Sequence, residues 1–203
     1  GYAGRELCRL VNAHPQLELA HATANAQRGE RALLGGREVT FVAPDDAPIK
    51  SAELVFSALP HGASADWVAR ARGEGVRAID LSSDLRPGHS AARVPYGLTE
   101  AAREALRGAE VIANPGCYPT SVLLPLVPLA KAGAVGAGPV IADSKSGVSG
   151  AGRKPSLGTA YCETNESISA YKIGRTHQHL GEMTQQLARA TSGGLPLVFS
   201  PHL

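Results

Sequence analysis

The sequence has few cysteines, few aromatic residues and no long block of one charge, and each shortage narrows the class of protein. Three cysteines among 203 residues are too few for a disulfide framework or a zinc knuckle, which favours a reducing compartment and hence the cytoplasm. Charged residues make up 19% of the chain and the formal net charge is +2, so no nucleic-acid surface is predicted. The most apolar stretch, 122–142, is interrupted by prolines, a lysine and glycines, unlike a membrane span.

Enough apolar residues remain for a substantial core. Hydrophobic residues make up 43% of the chain, which suffices for one large domain, or for one complete domain and part of a second. The sequence opens on Gly1 without a methionine and stops directly after the apolar segment 197–200. We therefore expect the chain to be incomplete at both ends.

Short apolar runs alternate with helical patterns over the first 115 residues. Leu7, Leu10 and Val11 follow a glycine turn at helical spacing, which predicts a helix that begins at that turn. Further apolar runs predict strands at 39–42, 54–59, 78–81 and 110–113, and a helix at 63–74. This alternation favours an α/β fold with a Rossmann-type doubly wound parallel sheet.

The pattern changes beyond Cys117. A helix is predicted at 118–132 and a strand at 140–143, followed by a glycine- and serine-rich loop. We place a domain boundary at 115–118, which divides the chain into residues 1–116 and residues 117–203.

The glycine turn at the start of the chain is a weak dinucleotide signal by itself. The full fingerprint has a preceding strand and three glycines, of which Gly1 and Gly4 could be only the second and third. An ordinary loop before a helix is the alternative. After the apolar stretch 17–22, where an NAD site places an acidic residue, the sequence has none at 21–25. The missing acidic residue favours NADP over NAD, and Arg28 is the nearest cation. The alternative is that this loop faces solvent and contacts no cofactor.

Cys117 lies in the segment Asn-Pro-Gly-Cys-Tyr-Pro-Thr, between a predicted strand end and a predicted helix start. Backbone N–H groups at a helix N-terminus stabilise a thiolate, which is the nucleophilic form of cysteine. Pro119 is well tolerated in a first helical turn. We interpret Cys117 as a nucleophile, and Cys8 and Cys162 as small packing residues.

A nucleophilic thiol needs a proton partner, and His177 and His179 are the candidates. If their segment is helical, residues two apart face different directions and only one imidazole can reach the thiol. If the segment is extended, both can. A metal site is the rival interpretation of this His-x-His pair, but no third ligand has a convincing spacing, so no metal is predicted.

The loop 146–153 carries hydroxyl groups, free N–H groups and the guanidinium of Arg153. These groups suit a phosphate or a carboxylate, although a mobile linker has the same composition. Arg153 and Arg175 are the two cations that we consider for a substrate anion. His14, His21 and His89 are interpreted as surface or capping residues.

With these motifs in place, the sequence resembles the N-acetyl-gamma-glutamyl-phosphate reductase family, within the wider group that includes aspartate-semialdehyde dehydrogenase. The resemblance rests on the segments 1–4, 56–62, 80–86, 96–98, 114–120, 146–153 and 171–182, which occur in the family's order. Two positions depart from the family pattern: Gly181 stands where proline is usual, and Pro125 should kink the helix after Cys117.

The resemblance implies a Rossmann domain that binds NADP(H), followed by an α+β substrate and dimerisation domain, in a homo-oligomer. The nucleophile would be Cys117 and the acid/base His177. Cofactor contacts would come from Gly1, Tyr2, Ala3, Gly4, Ser57, Leu59, Pro60, His61, Gly62, Ser149, Gly150 and Gly152. Substrate contacts would come from Asn114, Arg153, Tyr171, His179 and Glu182. The first strand, the first glycine and the end of the substrate domain are expected to be missing, which would leave the sheet without a central strand.

The reaction implied is the NADPH-dependent reduction of N-acetyl-L-glutamyl 5-phosphate to the 5-semialdehyde through a thioester on Cys117, in arginine biosynthesis. The nearest alternative is the same chemistry on another acyl phosphate, such as an aspartyl or a carrier-bound aminoadipyl phosphate. A cysteine hydrolase and a non-catalytic dinucleotide-binding fragment are the others.

Overall fold

The computed structural model describes residues 1–91, 93–191 and 193–203. In chain order the elements are α1 (Tyr2–Ala13), β1 (Ala22–Thr23), β2 (Arg31–Leu34), β3 (Arg37–Val42), β4 (Leu54–Ser57), α2 (Ser64–Gly73), β5 (Arg77–Asp80), α3 (Thr99–Leu106), β6 (Val111–Ala113), α4 (Cys117–Lys131), β7 (Val140–Lys145), α5 (Tyr161–Thr164), α6 (His179–Ala190) and β8 (Leu197–His202). Short 3₁₀ turns occupy several of the loops.

The strands form three small sheets. In the first, β4, β5 and β6 are parallel and lie in that order. In the second, β3 pairs with β1 in parallel and with β2 in antiparallel orientation. The third consists of the parallel pair β7 and β8. The predicted α/β fold class is confirmed, but the Rossmann-type sheet is divided, because β1 and β4 are both edge strands.

Most predicted elements lie close to their expected positions, and the clearest omission is a hairpin. Strand β2 pairs with β3 through a two-residue turn, with Leu34 opposite Arg37. The turn residues Gly35 and Gly36 have φ angles of 63° and 78°. A Gly-Gly pair supplies the positive φ angles that a tight hairpin turn requires. The sequence therefore contained the signal for this hairpin. Helix α3 was not predicted either.

The core beyond Cys117 holds α4 against α6. Leu123, Met183 and Leu187 are fully buried in one cluster, which also includes Phe199 of β8. Burial of a side chain of this size contributes about 1.5–3 kcal/mol. This contact sets the first turn of α6 beside the first turn of α4.

Helix α4 continues through Pro125 and Pro128 to Lys131, so the expected kink at Pro125 does not end the helix. In the described part of the chain, no helix combines the length and the apolar character that crossing a membrane requires.

Candidate active site

Cys117 is the first residue of α4, and Gly116 is its N-cap. The cysteine is exposed, whereas Gly116 is buried. The backbone N–H of Thr120 donates to the carbonyl of Gly116 at 2.9 Å and closes the first turn. The amides of Cys117 and Tyr118 precede that bond, as the unsatisfied donors of a helix start do. The thiol thus lies at the positive end of a 15-residue helix.

His177 and His179 lie on either side of the start of α6. His177 precedes the helix, and its Nδ1 accepts the backbone N–H of His179 at 3.1 Å. The two buried rings have centroids 4.8 Å apart. Both meet the ring of Tyr118 edge-on, at 5.6 Å and 5.9 Å. The segment is neither wholly helical nor wholly extended, because α6 begins between the two histidines. Both rings contact Tyr118, the residue next to Cys117.

The hydrogen bond to His177 also determines where the proton of its ring lies. A nitrogen that accepts a backbone N–H carries no proton, so the neutral ring has its proton on Nε2. Burial lowers the pKa of His177, and the positive charge of Lys172 lowers it further. At neutral pH the ring is therefore neutral and offers an N–H donor at Nε2.

Burial lowers the pKa of His179 more strongly, to about 3, and the neighbouring His177 and Arg86 contribute. The buried Nδ1 of His179 has no hydrogen-bond partner in the described structure. Across the described residues, no three His, Cys, Asp or Glu side chains are grouped in a way that could hold a metal ion.

Tyr171 lies beside Tyr118 and His177. Its hydroxyl donates to the hydroxyl of Tyr118 at 3.2 Å, and Tyr118 donates to the carbonyl of His202 at 3.0 Å. The ring of Tyr171 meets that of His177 edge-on at 5.5 Å. Burial raises the pKa of Tyr171, and the bond to Tyr118 and the nearby Cys117 raise it further. The phenol therefore remains protonated.

Glu182 is fully buried in the first turn of α6. Its Oε1 accepts the hydroxyl of Tyr96 at 2.5 Å and the backbone N–H of Gly116 at 2.9 Å. Burial and the carboxylate of Glu182 raise the pKa of Tyr96, which keeps this phenol a donor. The structure thus gives Glu182 contacts with its own chain, and a contact with substrate remains a prediction.

Arg86 carries the charge opposite to that of Glu182. Its Nη1 lies 3.7 Å from Oε2 of Glu182, and both side chains are buried. Its Nε donates to the carbonyl of Asn114 and its Nη2 to the carbonyl of Leu81, both at 2.7 Å. The side-chain amide of Asn114 donates to the carbonyl of Pro115 at 3.1 Å.

Sequence reasoning assigned no role to Arg86 or Tyr96. Both lie in segments on which the family resemblance rests. Their place in those segments is the sequence signal that points to them.

A second region is a cavity of about 630 Å³ between the edge strands β1 and β4 and the start of α1. Among the predicted cofactor residues, Gly1, Gly4, Ser57 and Leu59 line it, and so does Arg153. Helix α1 has no acidic residue in its first turn, so nothing there opposes an anion.

Part of the segment 21–25, which lacks the acidic residue of an NAD site, also lines this cavity. Thr23, Ala24 and Gln27 line the wall, whereas Arg28 is not part of it.

The other predicted cofactor residues lie outside that lining: Tyr2, Ala3, Pro60, His61, Gly62, Ser149, Gly150 and Gly152. Arg153 lies over the ring of Tyr2, with its guanidinium carbon 6.0 Å from the ring centroid. The structure therefore places Arg153 at the cavity beside α1.

Another part of the chain satisfies backbone N–H groups at the start of α2. The carboxylate of Asp84 accepts the backbone N–H groups of Gly62, Ser64 and Ala65, at 2.7, 2.9 and 3.2 Å. Burial tends to raise the pKa of Asp84, but these hydrogen bonds outweigh it and the pKa is lowered. Of these two helix starts beside the β4–β5–β6 sheet, that of α1 is consequently the one available to a ligand anion.

The fold and the site together define an α/β protein of the Rossmann type with an exposed cysteine at the start of α4, next to a tyrosine whose ring contacts two buried histidines. Comparison with known families narrows this class. The family model described as "Semialdehyde dehydrogenase, NAD binding domain" matches residues 1–109, and "Semialdehyde dehydrogenase, dimerisation domain" matches residues 117–203. The chain belongs to the semialdehyde dehydrogenase family.

Curated relatives carry the name expected from the sequence. The chain is 42% identical to the N-acetyl-gamma-glutamyl-phosphate reductase of Rhodopirellula baltica and 43% identical to that of Halorhodospira halophila. Each match covers 100% of this chain and 65% of the relative. The resemblance to this family is confirmed, and the chain spans about two thirds of the length of these relatives.

Solved structures show the same fold. Aspartate semialdehyde dehydrogenase II from Vibrio cholerae, complexed with ASA, matches with a TM-score of 0.72 and 17% identity, over 100% of this chain and 68% of that one. Aspartate semialdehyde dehydrogenase with NADP from Candida albicans matches with a TM-score of 0.67 and 14% identity, over 100% and 64%.

Proposed function

We propose that the full-length protein reduces N-acetyl-L-glutamyl 5-phosphate to the 5-semialdehyde with NADPH, as a step of arginine biosynthesis. The observation that carries the proposal is the exposed Cys117 at a helix start. The adjacent Tyr118 contacts His177, a neutral histidine with its proton on Nε2. The identity of 42–43% to reductases of that name supports the choice of substrate. We also propose a homo-oligomer, supported by the dimerisation domain that residues 117–203 match.

The first half of the reaction forms a thioester. The sulfur of Cys117 attacks the acyl carbon, a C–S bond forms, and the carbonyl oxygen takes up the negative charge. The free amides at the start of α4 and the Nε2–H of His177 are the donors for that oxygen. When the tetrahedral species collapses, the C–O bond to phosphate breaks, and the proton lost by the thiol ends on the released phosphate.

The second half returns the free thiol. NADPH, when bound, supplies the hydride that reduces the thioester. His177 holds its Nε2 proton at the oxygen of the reacting carbonyl, and Cys117 leaves as a thiolate when the aldehyde forms. A proton from solvent then restores the thiol. Tyr171 stays protonated beside both groups and remains our candidate for substrate contact together with Asn114.

We propose that the start of α1, at one end of the gap between β1 and β4, binds a phosphate of the dinucleotide. Gly1 is the N-cap of α1, and the backbone N–H groups of a helix start suit a phosphate. Arg5 and Arg153 contribute positive charge to the lining, and Glu18 and Glu53 contribute negative charge. Of the two arginines, Arg153 lies over the ring of Tyr2, next to the N-cap of α1. We therefore reassign Arg153 from a substrate anion to a cofactor phosphate. We retain the division into residues 1–116 and 117–203, supported by the two matched segments.

The test is the reverse reaction of the full-length protein. NADP⁺ reduction by N-acetylglutamate 5-semialdehyde should depend on phosphate and should disappear in Cys117→Ser, whereas Cys162→Ser, at another exposed cysteine, should retain it. NADPH fluorescence should still report cofactor binding in Cys117→Ser. Activity that survives in Cys117→Ser would refute the thioester. Activity of the parent with another semialdehyde only would change the substrate, and absence of NADPH binding would favour a hydrolase.

A further inference from the structure

The carboxylate of Glu182 is aimed at the backbone that precedes the nucleophile. We propose that Glu182 is a positioning residue that fixes the Gly116 peptide and thereby orients Cys117. This inference rests on the proposed function for its effect on turnover, but its effect on the thiol can be measured without substrate. It is an alternative to the sequence-based assignment of Glu182 to substrate binding, and the experiment below distinguishes the two.

The backbone of Gly116 is held on both sides of its Cα. Its N–H donates to Oε1 of Glu182 at 2.9 Å. Its carbonyl accepts the backbone N–H of Thr120 at 2.9 Å and the hydroxyl of Thr120 at 2.8 Å. Cys117 follows directly, so the direction of its Cα–Cβ bond depends on how the two peptide units that flank the Cα of Gly116 are oriented.

Glu182 is itself fixed by two further groups. The hydroxyl of Tyr96 donates to the same Oε1 at 2.5 Å. The guanidinium of Arg86 faces Oε2, which has no hydrogen-bond partner in the described structure. Arg86 also holds the carbonyl of Asn114, two residues before Gly116. The strand end and the helix start are thus anchored to one buried ion pair.

Stability alone does not explain this arrangement. A buried ion pair often contributes no more than apolar residues of the same volume would, and the 3.7 Å separation of Arg86 and Glu182 is longer than a hydrogen bond. The short bonds of Glu182 go to Gly116 and Tyr96 instead. Reacting groups must be held tightly, since a displacement of about 1 Å can cost about 10²-fold in rate.

The experiment compares Glu182→Gln, which retains an oxygen acceptor for the Gly116 N–H, with Glu182→Leu, which has none. Both are made in full-length protein carrying Cys162→Ser, so that Cys117 is the exposed cysteine of the described chain. Iodoacetamide is the probe, and mass spectrometry follows modification of the peptide that contains Cys117. Tyr96→Phe is a third variant that retains the ring in the core and removes one donor to Glu182.

We expect Glu182→Leu to slow alkylation of Cys117 and to lower kcat by about 10- to 100-fold with little change in KM. Glu182→Gln should restore both rates to within about threefold of the parent, and Tyr96→Phe should fall between them. If Glu182→Leu does not fold, the order parent, Glu182→Gln, Tyr96→Phe in alkylation rate remains the test.

Three results separate the possibilities. A raised KM with unchanged alkylation in both Glu182 variants would show a substrate contact and overturn the proposal. A lowered melting temperature with unchanged alkylation and kcat would show a purely structural role and overturn it as well. Slowed alkylation in a protein whose parent has no reductase activity would support positioning and refute the proposed function.

Discussion

Protonation of buried histidines should make this protein sensitive to mild acid. The pKa of His179 is lowered from 6.5 to about 3, mainly by burial. Between these values the unfolded chain binds a proton that the folded chain excludes. The free energy of unfolding therefore falls as pH falls, and the contribution of His179 is fully present above pH 6.5. The pKa of His177 is lowered as well, so its effect has the same sign.

The size of the effect follows from the two pKa values. One proton excluded from the folded state changes the free energy of unfolding by about 1.4 kcal/mol per pH unit. Between pH 6.5 and pH 5, His179 alone should reduce the free energy of unfolding by about 2 kcal/mol. Because domains are stable by only about 5–15 kcal/mol, this loss is a large fraction.

Urea unfolding at pH 7, 6 and 5, followed by circular dichroism, measures this loss in the parent and in His179→Gln. The substitution will change stability at every pH because it alters packing, so the pH dependence is the quantity to compare. We expect the fall between pH 7 and pH 5 to be smaller by about 2 kcal/mol in His179→Gln. His14→Gln, at an exposed histidine, should retain the slope of the parent. An equal slope in His179→Gln and the parent would refute the reasoning, since the ring would then be titrating in the folded state.

Two further substitutions test the packing around the site. Gly116→Ala would place a Cβ 2.6 Å from Nε2 of His179 and 2.9 Å from Nη1 of Arg86, so we expect a destabilisation of about 1–3 kcal/mol. Thermal unfolding measures this destabilisation. The control is Gly136→Ala, where a Cβ meets no atom within 4 Å, and its melting temperature should stay close to that of the parent. Equal melting temperatures for the two variants would contradict the close packing around Gly116. Asp84→Asn should cost about 0.5–2 kcal/mol because it weakens the cap of α2, and the difference from the parent should shrink as acid protonates Asp84, whose pKa is lowered. A constant difference down to low pH would show that the charge of Asp84 contributes nothing.

The sequence predicted the elements whose signals are local. The run 54–59 and the glycine turn before Leu7 are patterns of neighbouring residues, and the structure has β4 and α1 at those places. The start of α6 was less predictable, because the imidazole of His177 caps the amide of His179 and no N-cap residue of the usual type marks the boundary. The Gly-Gly pair at 35–36 is a local signal of the same kind, and it marks the turn between β2 and β3.

The anchoring of Gly116 was beyond sequence reasoning for a physical reason. Tyr96 and Glu182 are 86 residues apart in the chain, and their bond exists only because α4 packs on α6. Side chains with this separation have no periodic or compositional signature, so the segments that contain them could be recognised but the roles of the residues could not.

Two groups of the proposed chemistry therefore lie at the start of α6. Just before it, His177 contacts Tyr118, the neighbour of Cys117, and one turn later Glu182 holds the N–H of Gly116, the residue before Cys117. The apolar contact of Leu123 with Met183 and Leu187 fixes α6 against α4. Since the proton donor and the positioning carboxylate belong to one rigid helix start, a shift of α6 would disturb both together. The proposed cofactor residues at the start of α1 belong to a different element, so cofactor binding should survive substitutions in α6 that abolish turnover.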